Sequence, residues 1–220
     1  IIEHAKKTGG KIKLDDLKNH DVIWEKPLNI EYNGIKLHEL PPNGQGLCAL
    51  ITLGILKELD LRNLRKNSAE SYHLQIEAMK LGFADAYRYI SDPKSLEFDP
   101  SKLLESKYLK ERANLIDMNQ AKSYPAGNPI GEGDTVYLTA ADQDGMMVSY
   151  IQSNYFGFGS GIVIPNTGIS LQNRGNCFNL EENHPNQVGP DKRPYHTIIP
   201  AFVTKDGDPL MSFGVMGGAM

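Results

Sequence analysis

Apolar and polar positions follow two rhythms along this chain, with the change near residue 134. Leu47 to Leu59 is almost continuously apolar and predicts a buried helix. Ser68 can cap a longer helix reaching about Ile90, in which Tyr72, Ile76, Met79, Phe83 and Tyr87 recur at helical spacing. That stripe is expected to face the core. Asp92-Pro93 ends the pattern, and a polar helix is expected over Ser101 to Asn114. Ahead of these elements, residues 1–8 read as a helix stopped by Gly9-Gly10, and Asp15-Asp16-Leu17 as a short helical turn. Leu28 to Tyr32 and Ile35 to Leu40 alternate about Asn33-Gly34, a strong hairpin signal. Beyond residue 134 the period becomes two. Thr135 to Ala141 and Met146 to Ser153 flank the turn Asp142-Gln143-Asp144-Gly145. Shorter strands are expected over Gly161 to Ile164, Gly168 to Gln172, Thr197 to Thr204 and Pro209 to Phe213. Helices followed by an antiparallel, glycine-punctuated sheet predict a layered α+β protein.

Composition sharpens the division. Residues 1–134 hold 39 charged residues and residues 135–220 only 11, while 13 of the 21 glycines lie beyond residue 130. Asn119 to Asp134, rich in Pro, Gly, Ser and Asn, reads as an exposed linker. With 40% hydrophobic and 23% charged residues the chain can bury a core. The balance of 23 basic against 27 acidic residues argues against a nucleic-acid partner. No apolar run approaches the ~20 residues of a membrane-spanning helix. Two cysteines, Cys48 and Cys177, do not make a disulfide scaffold or a zinc site. No secretory signal opens the chain. Since it begins at Ile1 rather than Met, missing upstream sequence is expected, and the compartment stays open with the cytoplasm slightly favoured.

Most candidate motifs carry little chemistry. Gly157-Phe158-Gly159-Ser160-Gly161 is not followed by a helix pattern, which weighs against a nucleotide loop. His4, His20, His38, His73, His184 and His196 show no metal-ligand spacing. Cys48 sits in an apolar run and reads as packing; Cys177 lies in a polar loop, a thiol without an adjacent base. The junction Gly133-Asp134-Thr135 differs. If the Asp134–Thr135 bond were cut, Thr135 would gain a free α-amine of pKa ~7.7–8.0, a base for its own hydroxyl. Many strands start with threonine after a loop, so the junction alone leaves both readings open.

Five segments, in order, carry a resemblance that covers essentially all 220 residues. They are Pro41-Pro42-Asn43-Gly44-Gln45-Gly46; Ser68-Ala69-Glu70 with Ala84-Asp85 and Asp92-Pro93; Asp134 to Gly145; Gly159-Ser160-Gly161-Ile162 with Gly168-Ile169 and Asn173; and Gly189-Pro190-Asp191-Lys192-Arg193-Pro194 followed by Gly214 to Gly218. Together they resemble the γ-glutamyltranspeptidase family of N-terminal-nucleophile (Ntn) hydrolases, which cut themselves before a threonine. The resemblance implies an αββα sandwich of two stacked antiparallel sheets between helical layers, with residues 1–220 an interior part of one domain. Residues 1–134 would end the large subunit and residues 135–220 begin the small one, the two fragments forming a heterodimer. Further chain is expected on both sides, including an upstream arginine for the donor carboxylate and the segment completing the fold beyond Met220.

By the same resemblance Thr135 is the nucleophile, with self-cleavage at Asp134–Thr135. Ser153 supplies a hydroxyl bonded to it, and the Gly217 and Gly218 N–H groups hold the oxyanion. No cofactor or metal is needed. Tyr155, Arg174, Cys177, His196 and Thr197 occupy the donor-binding positions, where standard transpeptidases carry Asn, Gln, Asp and two serines. Cys177 removes the carboxylate that would meet a substrate ammonium, whereas Arg174 favours an extra anion. The implied function is hydrolysis or transfer of a γ-glutamyl or glutaryl-type acyl group from a small amide to water or an amine, as in the cephalosporin and glutaryl acylases that resemble this family. A standard glutathione γ-glutamyltransferase is one alternative. The other is a non-catalytic or unprocessed relative acting as a binding protein.

Overall fold

The computed structural model describes residues 1–59, 61–124 and 134–216. Their helices are α1 (Ile2–Thr8), α2 (Leu14–Lys18), α3 (Gly46–Lys57), α4 (Ala69–Tyr89) and α5 (Ser106–Ala113); the strands are β1 (Leu28–Tyr32), β2 (Ile35–Glu39), β3 (Asp134–Ala141), β4 (Met147–Tyr155), β5 (Ile199–Lys205) and β6 (Asp208–Val215). A four-stranded antiparallel sheet runs β1-β2-β5-β6, and β3 pairs with β4 in a second sheet. The protein is α+β, as expected. The sheet is shared by residues on both sides of Asp134, since Leu37 of β2 pairs with Val203 of β5. The change of composition therefore does not separate two cores.

Local chemistry accounts for the elements. Asn33 and Gly34, at φ 50° and 83°, make the tight β1–β2 turn, and Asp206 and Gly207, at φ 53° and 97°, make the β5–β6 turn. Helix α3 is apolar nearly all round and lies in the centre of the core, with Leu50, Ile51 and Ile55 fully buried. It packs on α4, β1 and β2, while Ala201 and Val203 of β5 are buried in the same core. The β3–β4 hairpin packs against β5 and β6, where Ser149 Oγ donates to the Phe213 carbonyl at 3.3 Å. The α, β and β layers of the expected sandwich thus lie within the described residues. Approach of the two sheets is close at Gly214: a Cβ there would sit 2.5 Å from the Tyr137 ring.

Three expectations need correction. Ser68 does cap α4, accepting from the Ser71 N–H at 3.2 Å, but the helix buries only part of the expected stripe. Phe83 and Tyr87 pack against the core as expected, whereas Tyr72, Ile76 and Met79 are exposed and Leu74, Glu77, Ala78, Leu81 and Asp85 are buried. Small residues decide this, because α3 approaches so closely that a Cβ on Gly82 would lie 3.1 Å from the Cys48 carbonyl. The buried carboxylates have partners: Asp85 pairs with Arg112 at 2.9 Å, and Glu77 accepts from the Lys122 N–H and the Tyr124 hydroxyl, both at 3.1 Å.

The helix expected over Ser101 to Asn114 is broken at Glu105 into a 3₁₀ turn, Pro100–Leu104, and α5. Leu103 and Leu109 both reach the core, although six helical residues would set them roughly 240° apart; the break reconciles them. The strands expected over Gly161–Ile164 and Gly168–Gln172 reduce to a single bridge, Val163 to Ser170. Gly161 and Gly168, at φ 74° and 69°, turn the backbone out of extended geometry there. Residues 125–133 of the expected linker lie outside the described residues.

Candidate active site

Thr135 begins the first continuous run of the β3–β4 ladder. Asp134 is opposite Tyr155 and Thr135 opposite Ser153, so β4 carries one extra residue, Asn154, in a bulge. A bulge re-aims the side chains around it. Here it leaves Thr135 and Ser153 side by side, and the Thr135 hydroxyl donates to Ser153 Oγ at 3.1 Å. Ser153 Oγ also accepts the Tyr155 N–H at 2.9 Å. Thr135 is half-buried, while Val136 and Leu138 point outward. Farther along, Tyr137 reaches diagonally across the ladder to Ser149, hydroxyl to hydroxyl at 2.9 Å.

Past the bulge the chain turns sharply. Tyr155 has φ 78°, unusual for an aromatic residue, and is 5% exposed. Its ring stacks on Phe156, with centroids 4.5 Å apart, and on the Arg174 guanidinium, whose carbon lies 4.6 Å from the ring centre. Asn173 holds this turn from the other side: its Oδ1 accepts the Phe156 N–H and its N–H donates to the Asn154 carbonyl, both at 3.1 Å.

Arg174 opens a 3₁₀ turn, Arg174–Cys177. Its Nη1 donates to Thr197 Oγ1 at 2.8 Å and lies 4.0 Å from Cys177 Sγ. Burial pulls the guanidinium below its usual pKa. The neighbouring His196 is pushed down to about 3, by burial first and the Arg174 charge second, and is therefore a neutral imidazole. Tyr155, Arg174, Cys177 and Thr197 thus form one cluster, which His196 borders and which the Ser153–Tyr155 bond joins to Thr135. Cys177, expected in a polar loop, ends this 3₁₀ turn and packs against the hydrophobic core. Gly217 and Gly218 lie outside the described residues. Cys48 is a packing residue, 1% exposed, with its thiol pushed up to about 12 by burial.

The sequence reading missed the residues that carry the His196–Thr197 segment. Gln45, fully buried, donates from Nε2 to the Thr197 carbonyl at 3.0 Å and accepts the Tyr195 hydroxyl at 2.6 Å. Its backbone N–H meets the His196 carbonyl at 2.8 Å, and the His196 N–H meets the Asn43 carbonyl at 2.9 Å. Pro41 to Gly46 resembles a family loop in sequence; that it braces the His196–Thr197 segment is visible only in three dimensions. Among the described residues no cluster of His, Cys, Asp or Glu could hold a metal, and no helix is long and apolar enough to cross a membrane. A cavity of about 380 Å³ lined by Glu31, Tyr32, Lys57 and Arg62 includes none of the cluster residues.

Comparison with known proteins agrees with this architecture. The γ-glutamyltranspeptidase family model matches residues 1–220. A glutathione hydrolase-like proenzyme of Bacillus subtilis, YwrD, is 40% identical over 219 residues, covering 99% of this chain and 41% of the relative. The oxamate amidohydrolase proenzyme of Klebsiella pneumoniae is 39% identical over 210 residues, covering 96% of this chain and 39% of the relative. The crystal structure of a cephalosporin acylase from Bacillus halodurans superposes with a TM-score of 0.89 at 45% identity, over 99% of this chain and 39% of that one. The chain spans about two-fifths of the length of these relatives. From its sequence match and its fold, the chain belongs to the γ-glutamyltranspeptidase family.

Proposed function

We propose that the protein containing this chain is a self-processing Ntn amidohydrolase or acyltransferase with Thr135 as its nucleophile. The observation that carries the reading is the Thr135–Ser153 hydroxyl pair at 3.1 Å, set by a bulge at the first residues of β3. In maturation Thr135 Oγ1 attacks the Asp134 carbonyl carbon. The C–N bond then breaks, leaving an Asp134 ester and a free Thr135 amine, and water hydrolyses the ester. In turnover that amine takes the hydroxyl proton, Oγ1 attacks the substrate amide, and the leaving amine departs protonated. Water or an acceptor amine releases the acyl group. Ser153 holds the Thr135 hydroxyl in orientation, and Gly217 and Gly218 supply oxyanion N–H groups, a contribution of ~10²–10³ in turnover per donor.

The donor is a small amide with a γ-glutamyl or glutaryl-type acyl group, received by Tyr155, Arg174, Cys177, His196 and Thr197. The names of the relatives, glutathione hydrolase-like, oxamate amidohydrolase and cephalosporin acylase, are consistent with hydrolysis of a small amide. A denaturing gel with intact mass on the full-length protein tests the proposal. The parent is expected as two fragments, the smaller beginning at Thr135, and Thr135→Ala as one chain. A parent uncut under all conditions would refute it.

A further inference from the structure

Residues 193–197 are held almost residue by residue from the other side of the Asp134–Thr135 bond. The Arg193 N–H donates to Asp92 Oδ2 at 2.7 Å, and the Pro194 carbonyl accepts Asn43 Nδ2 at 2.7 Å. Gly44 and His196 form a parallel bridge, in which the His196 N–H meets the Asn43 carbonyl at 2.9 Å and the His196 carbonyl meets the Gln45 N–H at 2.8 Å. The Gln45 side chain closes the set. Its Oε1 accepts the Tyr195 hydroxyl at 2.6 Å, and its Nε2 donates to the Thr197 carbonyl at 3.0 Å. Asn43, Gln45 and Asp92 precede the proposed cleavage, whereas Arg193 to Thr197 follow it.

Gln45 is itself firmly placed. It is the buried N-cap of α3, whose Leu47, Leu50 and Ile51 fill the core. Gly46 beside it packs so closely on β2 that a Cβ would lie 2.6 Å from Glu39 Oε2. What Gln45 holds is a carbonyl, and what that peptide fixes is a hydroxyl. Thr197 Oγ1 accepts from Arg174 Nη1 at 2.8 Å, with both residues buried. A displaced Thr197 peptide would carry Oγ1 out of line with the guanidinium. Thr135 and Ser153 sit instead on the β3–β4 hairpin, where the bulge at Asn154 sets their bond. A change at Gln45 therefore moves the donor-binding end of the site and leaves the nucleophile in place.

We propose that Gln45 is a positioning residue for donor binding, aligning the Thr197–Arg174 pair across the proposed cleavage, so that the fragment without the nucleophile tunes the affinity of the fragment that carries it. The proposal rests on the Thr135 reading for the reaction and adds the residue that shapes its donor end. The test uses the full-length protein, with initial rates on glutaryl and γ-glutamyl 4-nitroanilides and self-cleavage followed in a pulse-chase. Gln45→Met, similar in size, deletes both side-chain bonds. It is expected to raise the donor KM about tenfold, the scale of a hydrogen bond to a charged group. Its kcat and its self-cleavage should stay within about twofold of the parent, the signature of lost ground-state binding. Tyr195→Phe is the milder variant, keeping the ring in the core and removing only the hydroxyl that orients the Gln45 amide. It should raise KM in the same sense by about two- to fivefold. Thr197→Val removes the hydroxyl and keeps the carbonyl, so Gln45→Met should raise KM no further in that background.

A KM unchanged in both Gln45→Met and Tyr195→Phe overturns the proposal. So does a fall in kcat and self-cleavage that matches the rise in KM, since Gln45 would then be a packing residue. Effects of Gln45→Met and Thr197→Val that simply add also overturn it, because Gln45 would act by another route. Failure of the Thr135 reading shows separately, as a parent left uncut. A parent cut before Thr135, with a donor KM that these substitutions do not touch, ends the role of Gln45 alone.

Discussion

Removal of the Ser153 hydroxyl probes the geometry of the site most sharply, because one oxygen joins Thr135 and Tyr155 through bonds of different consequence. It accepts the Thr135 hydroxyl at 3.1 Å and the Tyr155 N–H at 2.9 Å. In Ser153→Ala both bonds go. The Tyr155 N–H is left in a partly buried turn at φ 78°, and an unpaired buried donor costs ~1–3 kcal/mol, so a loss of about 2 kcal/mol in stability is expected. The Thr135 hydroxyl loses the acceptor that orients its lone pair toward a carbonyl. A loss of ~1.4–2.7 kcal/mol from the transition state slows the step tenfold to a hundredfold. Self-cleavage in a pulse-chase and turnover of the matured protein on a glutaryl anilide should therefore both slow by that factor. Ser153→Thr, which keeps the hydroxyl, should recover most of both rates. Parental rates in Ser153→Ala would refute the account of the hydroxyl pair, whatever the change in melting temperature.

Two further predictions concern stability. At Gly214 an added Cβ meets the Tyr137 ring at 2.5 Å and the Ile199 carbonyl at 2.9 Å; Gly214→Ala should lose about 1–3 kcal/mol in urea unfolding, and an unchanged midpoint would contradict the close approach of the sheets. Glu39 is 2% exposed, with its carboxyl pushed from 4.5 up to about 8 by burial and its Oε2 unpartnered. Between those values the folded form keeps a proton that the unfolded form has lost. Stability should therefore fall with rising pH by up to about 1.4 kcal/mol per unit. Glu39→Gln should flatten that slope between about pH 5 and about pH 8; a slope equal to the parent's would show that another group sets it.

What could be read in the sequence, and what could not, divides along physical lines. The hairpins at Asn33-Gly34 and Asp142 to Gly145 were legible because turn residues fix geometry locally. So was the Ser68 cap, whose hydroxyl acts within one helical turn. The inward face of α4 was not. Large apolar residues at Tyr72, Ile76 and Met79 outweighed Ala78 and Gly82 in the periodicity, yet close helix contact selects the small residues. Nothing local signals that Glu77 and Asp85 are buried, because their partners Tyr124, Lys122 and Arg112 are all distant in sequence.

In the site, Thr135 and Ser153 stood out by resemblance, but nothing in the alternation of β4 signalled the bulge at Asn154. The brace from Gln45 to Thr197 joins residues 152 positions apart and has no local signature at all. Arg174 was legible as a charge and not as a buried one, because its enclosure depends on the turn at Tyr155.

The central claim is that Thr135 forms the bond to the substrate's acyl group. Rapid acid quench of the matured full-length protein with a glutaryl anilide, followed by peptide mapping by mass spectrometry, tests it directly. The account predicts one glutaryl group, found on the peptide that begins with Thr135, gained and lost at rates matching turnover. Turnover with that peptide unmodified, or with the acyl group on another residue, would contradict it.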